Sequence, residues 1–328
     1  MDWYYWVKGV KHFGFMISSQ LSATPPALSH LLAKSIDYAG VFPPASLSLS
    51  DALAMFNQYR DGRESWIVGS IVLPINVLGE LTGHLDGSPF RLTAIPRRTE
   101  QPELWLSRLQ EDCEHLRRFL ADNPQVTVHS LEVLLPSTGT DAEMAKRAEE
   151  LASLVDGARV FLELPAGEES FQERLGTAIG VLERYRSAGW GLKLRMGGIT
   201  PNAVPSVSMV ANVLAAVRDH RIPIKFTAGL HHPLRHWDND LGVAVHGFIN
   251  VLLAALFAYA CRLPSKNIEA ILSDERSKNF VFSGNVARWL DLPLRTELIE
   301  DLRRLVVGFG SCSVDDPLND LRMLGWVD

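Results

Sequence analysis

Cysteine is scarce in the sequence. Only Cys113, Cys261 and Cys312 occur in 328 residues, and no two of them form a C-x-x-C pair. Cysteines that are so few, so scattered and odd in number do not make a disulfide framework. They are typical of a protein in a reducing compartment, and we predict a cytoplasmic location.

The sequence also lacks an excess of positive charge. Its 32 Lys and Arg face 38 Asp and Glu, which gives a net charge of −6, and no long basic run occurs. We therefore expect neither nucleic acid nor an anionic membrane as a partner. The first stretch, MDWYYWVKGVKHFGF, lacks the apolar core and the small-residue cleavage site of a signal peptide.

One apolar run stands out against this background. Between Leu241 and Cys261 the strongly polar residues are His246 and Asn250, and a run of this length would suit a membrane span. Because the run lies within an otherwise soluble pattern, we predict a buried or interface helix at about 243–261 instead. A homo-oligomer contact through this helix, or a covering segment such as the N-terminal extension, would hide its apolar surface.

Short β-branched stretches alternate with longer amphipathic segments along the chain. The strand-like stretches are SIDYAGVF, WIVGSIVLP, FRLTAIPR, VTVHSLEVLLP, RVFLELP, GLKLRMGG and IKFTAGL. Seven strand–helix units in this order predict a parallel sheet, because parallel neighbours need helical crossovers. An eighth strand at about 305–313 would close it, with 278–290 as a hairpin excursion outside it. We predict an α/β fold, a single-domain (β/α)8 TIM barrel over 16–328, preceded by an extension at 1–15.

Charged residues occupy predicted strands that should be apolar. Strand side chains alternate between the two faces, so residues two apart share a face. On this basis one barrel cluster contains Glu132, Glu163, Lys193, Arg195, Lys225 and Thr227. Charge inside a barrel is costly unless it is paired or functional. The cluster is either a structural ion-pair network or, as we prefer, a site at the carboxyl ends of the strands. Asp37 in the first strand is a further candidate partner for a barrel cation.

Two lysines on neighbouring strands have a specific chemical use. A lysine becomes a nucleophile only when it is neutral, and a nearby cation together with desolvation favours that form. The free amine then attacks a carbonyl, and the resulting Schiff base acts as an electron sink for an adjacent C–C bond. Glu132 or Glu163 would move the protons. If the carboxylates instead hold the lysine as an ammonium ion, this chemistry fails.

The stretches LKLRMGG and IKFTAGL resemble the sixth- and seventh-strand motifs of the class I aldolases typified by deoxyribose-phosphate aldolase. Each contains a lysine followed four residues later by a glycine. The resemblance implies that Lys193 is the Schiff-base residue and Lys225 the cation that tunes it. Gly197, Gly198 and Gly229 would let backbone N–H groups approach an anionic group. The stretches DYAGVFPPA, TAGLHHP and GFGSCS resemble a bacterial family of barrel proteins, which implies no particular chemistry.

A basic loop follows the seventh strand. His231, His232 and Arg235 are candidates for binding an anionic substrate group, and the alternative is a solvated basic turn. His246 is a candidate for the same pocket or a structural histidine. Cys312 has no activating neighbour in sequence, which favours an inert thiol.

The sequence predicts a Schiff-base lyase for a small anionic carbonyl compound, with no cofactor. No HxH or HExxH spacing indicates a metal site. A metal-dependent lyase or isomerase that uses Glu132 and Glu163, with Lys193 as base, is one alternative, and His231 would be the third ligand of such an ion. A barrel that binds a small anion without catalysis is another.

Overall fold

The computed structural model describes residues 24–99, 101–136, 140–155, 157–164 and 171–328. Eight parallel strands close a barrel in the order β1-β13-β7-β6-β5-β4-β3-β2. These strands are β1 Ile36–Tyr38, β2 Val68–Pro74, β3 Phe90–Ile95, β4 Val126–Leu134, β5 Val160–Glu163, β6 Gly191–Arg195, β7 Ile224–Thr227 and β13 Val306–Ser311. The predicted (β/α)8 barrel is therefore confirmed. The predicted extension at 1–15 lies outside the described residues.

Helices follow the strands, as parallel pairing requires. They are α1 Pro26–Leu32, α2 Leu49–Asp61, α3 Leu78–Leu81, α4 Trp105–Asp122, α5 Asp141–Leu154, α6 Phe171–Arg184, α7 Val207–Asp219, α8 Phe248–Cys261, α9 Ser265–Leu272, α10 Thr296–Arg303 and α11 Asp315–Met323. Single 3₁₀ turns occur at Arg63–Trp66, Ile75–Val77, Thr82–His84, Pro102–Leu104, Arg186–Ala188, Pro201–Ala203 and Ser277–Asn279. Buried apolar residues of the helices and strands form one core cluster.

The last barrel strand lies where the sequence predicts it. β13 pairs in parallel with β1 on one side and β7 on the other, which closes the barrel. The excursion before it is a separate three-stranded antiparallel sheet of β10 Phe280–Ser283, β11 Val286–Trp289 and β12 Leu292–Arg295. The excursion prediction is confirmed, with a third strand added to the expected hairpin.

The apolar run after β7 differs in its first residues from the predicted helix. Val243–Val245 forms strand β9, which pairs with β8, His236–Asp238, in a small hairpin, and α8 begins only at Phe248. Every residue from 248 to 260 is buried. The cover comes from α7, α9 and α10 of the same chain. The prediction that protein covers this helix is confirmed, and its burial gives no reason to invoke a second copy of the chain.

None of the helices in the described part of the chain has both the length and the apolarity needed to cross a membrane.

Candidate active site at the carboxyl end of the barrel

The two strand lysines lie side by side. Lys193 on β6 stands opposite Lys225 on β7 in the parallel register, and opposite Glu163 on β5 on its other side. Both lysine side chains are almost fully buried, with exposed fractions of 3% for Lys193 and 1% for Lys225. The alternation argument therefore placed these residues on the correct face of the barrel.

The buried charges form one continuous chain of ion pairs. Lys193 Nζ lies 2.7 Å from Glu132 Oε2 and 2.7 Å from Glu163 Oε2. Lys225 Nζ contacts Glu132 Oε1 and lies 2.5 Å from Asp37 Oδ2. The contacts of Lys225 are close ion pairs rather than well-directed hydrogen bonds. Glu132 therefore joins the two lysines, and the predicted pairing of Asp37 with a barrel cation is confirmed.

Hydroxyl groups extend this network of ion pairs across the other half of the barrel. Asp37 Oδ1 accepts hydrogen bonds from the backbone N–H of Ser70 at 2.8 Å and from its hydroxyl at 2.6 Å. The Ser70 hydroxyl lies 2.7 Å from that of Thr93, which lies 3.1 Å from that of Ser130. Every strand from β1 to β4 contributes a polar group to this row. The row fixes Asp37 so that one of its oxygens remains for Lys225.

The ion pairs shift the pKa values of the buried groups. Burial alone would raise the pKa of Glu132, but the charges of Lys193 and Lys225 outweigh it and lower that pKa to about 2. Burial alone would lower the pKa of Lys225, but Asp37 and Glu132 outweigh it and the net pKa is raised. The pKa of Asp37 is lowered, because Lys225 more than offsets the effect of its burial. Glu132, Asp37 and Lys225 are therefore all ionised at neutral pH.

A cavity of about 240 Å³ opens beside this network. Glu132 and Glu163 border it, as does the segment after β3 that contains Arg97 and Arg98. Arg98 Nη2 lies 3.5 Å from Glu163 Oε1, and Arg195 Nη1 lies 3.6 Å from the same oxygen. These separations are long for a hydrogen bond. Two guanidinium groups thus face one carboxylate oxygen without binding it tightly.

The glycines of the two lysine motifs have a packing role. Gly229 has φ +69°, and a Cβ there would lie 2.9 Å from Cα of Gly197. A Cβ on Gly197 would meet Gly229 Cα at the same distance, and one on Gly198 would meet Ala203. The ends of β6 and β7 can approach each other only without these side chains. Their expected part in holding an anionic group stays a prediction.

The basic loop residues have partners other than the lysines. His231 Nδ1 is 4.0 Å from Cys312 Sγ, and His232 pairs with Asp320 at 2.5 Å. Arg235 donates its backbone N–H to Asn250. Within the described residues, no hydrogen bond or ion pair joins the predicted loop residues to Lys193 or Lys225. Burial lowers the pKa of His231, an effect that Asp316 partly offsets.

His246 is a buried neutral histidine. Its Nε2 donates to the carbonyl of Pro205 at 2.8 Å, in the segment that precedes α7. The pKa of His246 is lowered to about 4, mainly by burial and to a smaller extent by nearby Arg235, and the hydrogen bond to Pro205 partly offsets these effects. Thr227 ends β7 beside Arg195, since these two residues are partners in the register. Arg195 and Thr227 follow Lys193 and Lys225 by two residues on the same strands.

The arrangement does not resemble a ready metal site. The ammonium group of Lys193 lies between Glu132 and Glu163, where the proposed ion would lie. His231, the third ligand of that alternative, contacts Cys312 instead. Across the described ranges, no three His, Cys, Asp or Glu residues form a group that could hold a metal ion.

Sequence reasoning missed several residues of this region. Arg98 lies in a loop, where strand alternation gives no information, and only its contact with Glu163 identifies it. Ser70, Thr93 and Ser130 are strand residues, and the alternation that identified the charges also applies to them. Small hydroxyl side chains are common in strands, so they indicate a site only once a buried acid is found beside them.

Comparison with known proteins supports the fold and leaves the chemistry open. No protein-family model matches the chain, and no curated protein matches its sequence. Among solved structures, a tetrameric deoxyribose phosphate aldolase from Aeropyrum pernix matches with a TM-score of 0.50 at 13% identity, over 92% of this chain and 98% of that one. The carboxyl transferase domain of Rhizobium etli pyruvate carboxylase matches with a TM-score of 0.27 at 12% identity, over 92% and 64%. The chain therefore has an aldolase-like TIM-barrel fold.

Proposed function

We propose that this protein is a Schiff-base lyase of the aldolase type that acts on a small anionic aldehyde or ketone, with Lys193 as its nucleophile. One observation carries the proposal. Lys193 is a buried amine on a barrel strand, between two carboxylates that border a cavity at the carboxyl end. That end is where barrels of this fold hold their catalytic residues.

Attack by Lys193 requires it to lose a proton to a neighbour, because only the neutral amine is nucleophilic. Glu163 is the better acceptor by geometry. Glu132 already contacts both lysines, whereas Glu163 contacts one lysine, and its other oxygen has, within the described part of the chain, only long contacts to two arginines. The neutral amine then adds to the carbonyl carbon. One proton moves from the attacking nitrogen to the carbonyl oxygen, Glu163 returns the proton it accepted to the same oxygen, and that oxygen leaves as water, so that a protonated imine remains on Lys193.

Cleavage of the substrate follows from that imine. A carboxylate of the site takes the proton from the hydroxyl group β to the imine carbon. The C–C bond then breaks, its electron pair moves into the imine as an enamine, and an aldehyde or ketone departs. The carboxylate returns its proton to the enamine carbon, and water releases the second product from Lys193. The same steps in reverse form the C–C bond.

Lys225 serves this scheme as a fixed positive charge. Asp37 and Glu132 hold it as an ammonium ion, since its pKa is raised. Its charge disfavours a second ammonium at Lys193, while the shared Glu132 opposes that effect. Lys225 also keeps Glu132 ionised, so Glu132 orients Lys193 instead of competing for its proton.

Borohydride trapping tests the proposal. The full chain is incubated with a panel of small aldehydes and ketones that includes phosphorylated sugars, reduced, and mapped by mass spectrometry. We expect a covalent adduct on Lys193 that disappears in Lys193→Ala and weakens in Lys225→Leu. Lys266→Ala, which removes an exposed lysine of α9, is the matched control and should label like the parent.

Failure to label Lys193 would contradict the proposal. If no member of the panel labels Lys193 in a chain shown to be folded by circular dichroism, the Schiff-base mechanism is wrong. A ligand that binds without forming an adduct and without turnover would then identify a barrel that binds small anions.

A further inference from the structure

The electrostatic composition of the site indicates which anion it accepts. Within the described residues, the contacting cluster contains four cations and three carboxylates, which leaves one unit of positive charge. The cations are Lys193, Lys225, Arg98 and Arg195, and the carboxylates are Asp37, Glu132 and Glu163. One unit of excess charge matches one carboxylate on a ligand.

The excess charge resides on the two arginines. Asp37 and Glu132 contact Lys225, and Glu132 and Glu163 contact Lys193, all at close ion-pair distance. Among the residues that the structure describes, Arg98 and Arg195 have only the long ion-pair contacts of 3.5 and 3.6 Å to Glu163 Oε1. Their side chains are 52% and 32% exposed. Both guanidinium groups therefore have donors available for a ligand.

Arg97, the neighbour of Arg98 in this loop, is by contrast held by carboxylate partners. Its guanidinium lies 2.7 Å from Asp112 and 2.7 Å from Glu111, and Asp112 also accepts its backbone N–H. Arg97 borders the same cavity as Arg98, but its Nε and Nη2 groups each have a carboxylate partner at 2.7 Å.

The spacing of these groups restricts where the anion lies in the substrate. Lys193 contacts Oε2 of Glu163, and the two arginines face Oε1 of the same carboxylate. The nucleophile and the two arginines thus contact the two oxygens of one carboxylate. A ligand whose carbonyl and anionic group are on adjacent atoms matches groups that are gathered around one side chain.

We infer that the substrate is a 2-oxo acid, whose carboxylate binds between Arg98 and Arg195 while its neighbouring carbonyl faces Lys193. Planar guanidinium groups bind carboxylates through paired, charge-assisted hydrogen bonds. The incoming carboxylate also takes the two arginines from Glu163, which frees Oε1 to accept a proton. The cavity of about 240 Å³, which Arg98 and Glu163 border, suits a molecule of this size. This inference rests on the proposed Schiff-base function and adds the substrate class to it.

The test uses two carbonyl compounds that differ in one group. Pyruvate and acetone share the methyl ketone, and a methyl group in acetone replaces the carboxylate. The rate of borohydride-trapped labelling at Lys193 is measured with each, in the full-length protein and in Arg98→Gln, Arg195→Gln and Arg97→Gln. We expect the pyruvate-to-acetone ratio to fall at least about tenfold in Arg98→Gln and in Arg195→Gln. It should stay within twofold or so in Arg97→Gln, since that guanidinium serves Asp112 and Glu111. A ratio within one protein is insensitive to any loss of stability.

A second measurement does not depend on imine formation. Propanoate, which has the carboxylate but no carbonyl, is titrated into the full-length protein by calorimetry, with inorganic phosphate as the comparison. We expect millimolar binding of propanoate, on the order allowed for so few atoms, that weakens about fivefold or more in Arg98→Gln.

The outcomes separate the two proposals. If Lys193 is labelled but the ratio is unchanged in both arginine variants, the 2-oxo acid inference is wrong and the lyase proposal stands. Tighter binding of phosphate than of propanoate also overturns the inference. If no carbonyl labels Lys193, the lyase proposal fails, and propanoate binding alone decides whether the arginines form a carboxylate site.

Discussion

Lys193 and Lys225 stand opposite each other on neighbouring strands, and both ammonium groups contact the same carboxylate, Glu132. Glu132 is buried, so neither lysine can exchange this partner for water. One oxygen of Glu132 contacts Lys193 and the other contacts Lys225, so this one side chain holds both positive charges in place in the barrel interior.

Glu132→Gln should destabilise the protein by about 3–5 kcal/mol, because it leaves buried ammonium groups without their common counter-charge. The measurement is urea unfolding at pH 7. Glu111→Gln is the matched control, since Glu111 pairs with Arg97 at a 65% exposed position, where an ion pair contributes about 0–1 kcal/mol. Equal losses in the two variants would contradict the proposed role of Glu132.

Glu132 should also make the free energy of unfolding depend on pH in the acid range. The pKa of Glu132 is about 2 in the folded protein and ordinarily 4.5. A depressed carboxyl pKa stabilises the fold above the unfolded value, and this stability is lost as the pH falls from about 4.5 towards 2. The contribution is about 3 kcal/mol at neutral pH. Unfolding free energies measured at pH 5, 4 and 3 should fall less steeply in Glu132→Gln than in the parent chain.

His246 should give stability a second pH dependence, nearer neutrality. Its pKa is lowered from 6.5 to about 4 by burial, partly offset by the hydrogen bond to Pro205. Because the folded state holds the neutral ring, this stability is full above pH 6.5 and is lost as the pH falls from about 6.5 to 4, by about 3 kcal/mol. The curve of unfolding free energy against pH should flatten in His246→Gln. The exposed His84→Gln should follow the parent curve, and no flattening in His246→Gln would refute the assignment.

Gly229 tests the close approach of β6 and β7. An alanine at φ +69° is strained by about 1–2 kcal/mol. Its Cβ would also overlap Gly197, which adds about 1–3 kcal/mol. Gly87→Ala is the control, because its φ is +83° and nothing lies within 4 Å of the added carbon. We expect Gly229→Ala to lose clearly more stability in thermal unfolding than Gly87→Ala.

The side chain of Asn250 joins α8 to the neighbouring segments through three hydrogen bonds. Its amide donates to the carbonyls of Ile271 and Asp274 at 2.8 and 2.7 Å and accepts the N–H of Arg235 at 2.9 Å. Asn250→Leu leaves those backbone groups unpaired and should cost about 3 kcal/mol or more. Asn57→Leu in α2 is the control, since its Oδ1 has no hydrogen-bond partner among the residues described, and we expect a change under about 1 kcal/mol. Chemical denaturation measures both.

The sequence predicted the parts of this molecule that depend on local periodicity. Alternation of strands and helices predicts the barrel, and residue parity predicts that Glu132, Glu163, Lys193 and Lys225 share its interior. Parity cannot show which acid contacts which lysine, because that depends on the stagger between strands. The shared position of Glu132 was therefore visible only in the structure.

Residue alternation also gives no information on loops and very short strands. Arg98 has no strand neighbours from which to infer its direction. The hairpin of β8 and β9 consists of three-residue strands, too short to show an alternation. The helix after them was predicted to begin near residue 243, because apolar residues continue through β9 into α8 and periodicity does not separate the two.

The complete burial of α8 has a consequence for biosynthesis. Two of the helices that cover it, α9 and α10, follow it in the chain, as does the last barrel strand, β13. During synthesis α8 leaves the ribosome before these segments exist, so its apolar surface has no lasting cover until the final stretch is made. Exposed surface of this kind recruits chaperones and promotes aggregation. A nascent chain stalled soon after Cys261 would therefore be among the most aggregation-prone intermediates on the way to the finished barrel.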